Sequence, residues 1–149
     1  MRLIGLTMSC LILAAPSLTA LDKEFAGQMM QSAQKLRKDA SEIKLSLKSK
    51  TIDDSKVTQK IDEMAADVTK LQDLVRRFDE TKPQMNTADQ AAWTLVKQKV
   101  QIIEIFHGQK KVMASEGVTK NRARISQLAS GVAVRAQKLE QSTMKLSRT

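Results

Sequence analysis

The chain is poor in the residues from which reactive centres are usually built. Its 149 residues include one cysteine (Cys10), one histidine (His107), one tryptophan and no tyrosine. A lone cysteine leaves no internal disulfide, so packing must hold the fold together. This set offers no basis for a catalytic triad or a structural zinc site within one chain. Aromatic residues make up only 3% of the chain, and there are five glycines and two prolines. No Asn-Gly or Asp-Gly hairpin turn and no glycine-rich phosphate loop occurs in the sequence. These absences argue against strands and nucleotide chemistry, and they favour a binding protein over an enzyme.

What is present begins with a leader. Arg2 is followed by an apolar run from Leu3 to Ala15. That run is shorter than the ~20 residues a membrane-spanning helix needs. Pro16-Ser17-Leu18-Thr19-Ala20 then forms a small-residue exit, and the layout predicts a secretory signal peptide cleaved after Ala20. An uncleaved anchor is the alternative. Cys10 falls inside this leader, and the chain carries no Asn-x-Ser/Thr acceptor. The expected compartment is a bacterial periplasm, or the protein is secreted. No transmembrane segment is expected in the mature chain.

Apolar residues recur at three- and four-residue steps along the rest of the sequence, residues 21–149, which reads as one domain. Phe25, Met29, Ser32, Leu36, Ala40, Ile43 and Leu47 form one such seam. Val57, Ile61, Met64, Val68, Leu71, Val75 and Phe78 form a second, ending before Thr81-Lys82-Pro83. The stretch from Thr87 to Glu116 is the most apolar, with Trp93, Leu95, Val96, Val100, Ile102, Ile103, Phe106 and Met113 on one broad face. Thr87 and Gln90 have the spacing of a capping box at its start, and Gly117 that of a helix stop. Ile125, Leu128, Val132, Ala136, Leu139 and Leu146 mark the last seam. The pattern predicts helices over about 22–48, about 54–80, about 88–116 and about 119–147. Joined by short breaks, they predict an all-α, antiparallel, up-down-up-down four-helix bundle, either monomeric or homodimeric.

Charge is unevenly spread. The formal net charge is +9. From Asp53 to Glu80 there are five basic and eight acidic residues, whereas from Val118 onward seven basic residues face only Glu140. Lys120, Arg122, Arg124, Arg135 and Lys138 are therefore the candidate partner-binding residues. A surplus of this kind attracts anionic partners. In an exported chain whose aromatics sit at core positions, an anionic envelope component or an acidic protein surface is expected, and nucleic acid is not.

His107 supplies the second reading. It shares a line with Trp93 and Val100, and Met64 is the sulfur nearest its expected level. In layout alone the chain resembles the exported four-helix cytochromes, which implies a b-type haem held by His107 and Met64. No Cys-x-x-Cys-His attachment is present, and no histidine lies in the last helix. Small residues near that level, among them Ala40, Ser41, Ala66, Gly108, Ala129 and Gly131, predict either close helix approach or room for a flat ligand. Glu104 and His107 are a single Glu-x-x-His pair, where di-iron bundles need two. A third reading, a periplasmic stress chaperone, rests on the basic helical surface and one Thr-x-x-Gln. The expected function is non-enzymatic envelope interaction or scaffolding, with no bound cofactor.

Overall fold

A computed structural model describes residues 22–81 and 83–147. The leader expected at Met1–Ala20 and the basic residue Arg148 lie outside these residues. Within them the chain forms four helices and no strand. The helices are α1 (Lys23–Lys48), α2 (Asp54–Glu80), α3 (Thr87–Ser115) and α4 (Arg122–Leu146). Helix α1 packs against α2 and α4, and α3 packs against the same two. The pairs α1/α3 and α2/α4 make no comparable contact, so they stand diagonally across a shared core, consistent with a four-helix bundle.

The first three helices each have a side chain that accepts from a free backbone N–H at the helix start. Asp22 Oδ1 accepts from the Glu24 N–H, and Asp53 Oδ1 accepts from the Lys56 N–H. For α3 the cap is Asn86, one residue before the expected Thr87. Asn86 Oδ1 accepts from the Asp89 N–H at 2.8 Å, and its Nδ2 donates to Asp89 Oδ2. Gln90 instead donates to the Met85 carbonyl, so the Thr87–Gln90 capping box does not form.

Helix α4 starts three residues later than the sequence suggests. Gly117 has φ +122°, a conformation that favours glycine, and its N–H bonds the Ala114 carbonyl. Residues 118–121 then turn. Val118 is buried, and Asn121 Nδ2 donates to the Met113 and Gly117 carbonyls. Asn121 stands at the N-cap position with no side-chain cap bond of its own.

The core follows the heptad seams with some changes. Val57, Ile61, Met64, Val68 and Leu71 are buried as expected, but the seam of α2 then shifts to Leu74. Val75 and Phe78 are only half-buried. Phe78 packs between Phe25 and Trp93, with centroids 5.3 and 4.3 Å away. The broad face of α3 narrows to Trp93, Val96, Val100, Ile103, His107, Lys110 and Ala114. Leu95 is left 52% exposed, and Ile102, Phe106 and Met113 flank the seam rather than fill it. On α4, Ala129 is buried where Leu128 was expected, and Leu128 is half-buried. Ala33 and Ala40 on α1 and Ala129 and Ala136 on α4 are fully buried, which allows close helix approach there.

Candidate functional site

Two places in the fold carry chemistry that ordinary core packing does not explain. The first is the interior layer around His107. The seam of α3 runs Val96, Ile103, Lys110 at seven-residue steps, so a lysine falls on an apolar line. Lys110 is 0% exposed, and its Nζ donates to Met64 Sδ at 3.2 Å, a weak acceptor for an ammonium. Burial pushes its pKa down to about 8, opposed only by the attraction of Asp39. Asp39 is itself buried, with Oδ1 3.6 Å from Lys60 Nζ and Oδ2 unpartnered. His107 is buried with neither ring nitrogen hydrogen-bonded. Burial first, and then Lys110 and Lys111, push its pKa down to about 4.

These residues do not fit a haem iron. Met64 Sδ is engaged by the Lys110 ammonium, one turn beyond His107, so the sulfur and the imidazole are not a free axial pair. The small residues do not converge on one layer either: Ala40 and Ala129 are buried, while Ser41, Ala66 and Gly108 are exposed. Gly131 is small for a different reason, because a Cβ there would collide with the Phe106 ring. Glu104 is exposed and does not share the burial of His107.

The second place is the face made by α3 and α4. Ion pairs distribute themselves unequally over the fold. Lys35–Asp67 and Lys60 with Asp39 and Glu42 join α1 to α2. Lys97–Asp79 and Lys111–Asp62 join α2 to α3. Arg37 Nε lies 3.2 Å from Glu140 Oε1, close enough for an ion pair though not aligned for a hydrogen bond. That pair occupies the one acidic residue of α4. Among the described residues no ion pair joins α3 to α4.

Lys99 on α3 is pushed down in pKa by burial and by the positive charge of Lys138 on α4. Arg135 lies on the Phe106 ring, its Cζ 4.7 Å from the centroid, and Nη1 donates to the Gly131 carbonyl. Beside it runs a groove of about 630 Å³, lined by Phe106, Gln109, Met113, Arg124, Gln127, Leu128, Gly131 and Arg135. Its lining is mixed, with Phe106, Met113 and Leu128 beside Gln109 and Gln127, and its two arginines stand eleven residues apart, ~16 Å along the helix.

The five basic residues singled out from the sequence therefore do not form one group. Arg124, Arg135 and Lys138 belong to the α3–α4 face. Lys120 and Arg122 line a separate groove with Leu47, Lys48, Ala123 and Ser126, at the junction with the end of α1. At 100° per residue, Arg122 and Arg124 point to opposite flanks of α4. Lys99 was missed by a reading centred on the last helix. Its signal is the seven-residue line Lys99, Phe106, Met113 on the flank of α3.

Compared with family models, curated proteins and solved structures, the chain has no match. Among the described residues no helix is long and apolar enough to cross a membrane, and no group of three His, Cys, Asp or Glu side chains could hold a metal ion.

Proposed function

We propose that the protein is an exported, non-enzymatic four-helix bundle that binds an anionic envelope component through its α3–α4 face. The up-down-up-down topology is supported by cross-helix pairs that run in opposite directions. Lys35 meets Asp67 while Asp39 meets Lys60, and Asp79 meets Lys97 while Asp62 meets Lys111. Export rests on the leader pattern of residues 1–20.

The observation that carries the proposal is the set of cations on this face, Lys99 on α3 with Arg124, Arg135 and Lys138 on α4, none of which forms an ion pair with a carboxylate of the described residues. Burial, and then the positive charge of Lys138, disfavour the charged form of Lys99, whose Nζ donates, among the described residues, only to the Leu95 carbonyl. An anion bound on this face supplies the counter-charge that the fold does not. Arg135, held against Phe106, and Arg124 at the groove extend the same positive field over ~21 Å of α4, from residue 124 to residue 138.

The test replaces Lys99, Arg124, Arg135 and Lys138 with Gln and measures binding to anionic vesicles, dextran sulfate and polyglutamate as salt is raised. The wild-type chain binds at least one of these with a steep salt dependence, and the variant binds more weakly and with a flatter one. Equal binding by both proteins to all three would contradict the proposal.

A further inference from the structure

Charge alone does not describe the α3–α4 side of the molecule. Among the described residues the exposed large apolar side chains are Leu45, Leu95, Ile105, Val112 and Val134, and all but Leu45 lie on α3 or α4. On α3, positions 95, 98, 102, 105, 109 and 112 step by 3, 4, 3, 4 and 3, a second heptad line on the outer side of the helix. They read Leu, Gln, Ile, Ile, Gln and Val, so the line carries no charge over 18 residues, ~25 Å from first to last. Helix α3 thus carries large apolar side chains away from the core as well as toward it. An outward apolar line of this length is what a surface helix normally avoids.

The cations lie along one edge of this line. Lys99 shares the flank of α3 with Phe106, and Arg135, lying on the Phe106 ring, stands with Arg124 and Lys138 on α4. The acidic helix α2 stands diagonally opposite α4, and its Asp67 pairs with α1 while its Asp62 and Asp79 pair with α3. The molecule therefore has one side that is both cationic and apolar, and another that is largely neutralised.

We infer that this side docks flat on an anionic lipid bilayer, with Leu95, Ile105 and Val112 seated at the headgroup level and Lys99, Arg135 and Lys138 on the lipid phosphates. The inference rests on the anion-binding reading above and names the partner. A bilayer meets both halves of the surface at once, taking apolar side chains into the headgroup–acyl boundary while anionic headgroups neutralise the cations. A polysaccharide would match the charge and leave the apolar line in water. The long axes of α3 and α4 lie in the membrane plane, and neither helix spans it.

The test uses the full chain, with co-sedimentation on phosphatidylglycerol-containing and on pure phosphatidylcholine vesicles, and with dextran sulfate and polyglutamate as soluble polyanions. The apolar variant is Leu95→Gln, Ile105→Gln, Val112→Gln, all at exposed positions, and its helicity and melting serve as the check on folding. The charge variant is Lys99→Gln, Arg135→Gln, Lys138→Gln. We expect the wild type to bind phosphatidylglycerol vesicles and not pure phosphatidylcholine. The apolar variant should lose roughly tenfold in vesicle affinity while keeping its affinity for the soluble polyanions. The charge variant should lose both. Unchanged vesicle binding by the apolar variant would overturn the inference and leave the anion-binding reading standing. So would a wild-type preference for polyglutamate, or a dimer that the apolar variant dissociates. Binding to none of the anionic probes at low salt would overturn both.

Discussion

Lys110 Nζ lies 3.2 Å from Met64 Sδ in the centre of the fold, with none of the lysine exposed. A thioether is a poor partner for an ammonium, and the nearest compensating charge, Asp39, already stands beside Lys60. Removing the amine should therefore relieve the core. We expect Lys110→Met to raise the unfolding free energy by ~1–4 kcal/mol, the range seen when buried charges give way to apolar groups. Asp39 keeps its Lys60 contact in that variant. Urea unfolding checks the sign, and a destabilised variant would mean that the amine is better satisfied than its contacts indicate.

The same layer sets an unusual dependence on pH. His107 is held at about 4 in the fold against 6.5 ordinarily, so the unfolded chain binds more protons between those values. Its contribution is fully present above pH 6.5 and is lost as pH falls toward 4, about 3 kcal/mol in all. Lys110 is also depressed, to about 8 from 10.5. The unfolded chain again holds the extra proton, so stability should rise as pH increases from 8 toward 10.5. Thermal melting across pH 4 to 10 checks both limbs. His107→Leu should flatten the acidic limb and Lys110→Met the alkaline one.

Leu71 tests the packing assignment. It is fully buried on the apolar seam of α2, and Leu71→Ala should cost ~2–5 kcal/mol by urea unfolding. A loss below about half a kcal/mol would place α2 at the surface, against the described core.

How far the sequence could be read depended on what each residue has to satisfy. The seam of α2 was legible through Leu71 because Val57, Ile61, Met64, Val68 and Leu71 are apolar and obey one period. It failed at Val75 and Phe78, where the seam passes to Leu74 and Phe78 turns toward Phe25 and Trp93. Lys110 stayed hidden because a charge on a heptad position reads as a surface residue, although Val96 and Ile103 point straight at it. The cap of α3 stands at Asn86, whose amide accepts from the Asp89 N–H and donates to the Asp89 carboxylate, one residue before the Thr-x-x-Gln that local spacing singles out. The charge of α4 was visible as a total, but its division between two flanks needed the helix angle as well as the count. Lys99 needed the pairing of α3 with α4, which no local pattern contains.

The claim on which the account turns is that the α3–α4 side, and not the acidic side, is the one that meets an anionic membrane. It is tested most directly by an environment-sensitive dye on a single cysteine, in a Cys10→Ser chain. One probe sits at Gln127, on the α3–α4 groove, and the other at Thr69, exposed on α2. With phosphatidylglycerol vesicles, emission from Gln127→Cys should shift to the blue and become sensitive to lipid-borne quenchers, while Thr69→Cys stays as in water. A shift at Thr69 alone, or equal shifts at both positions, would contradict the account.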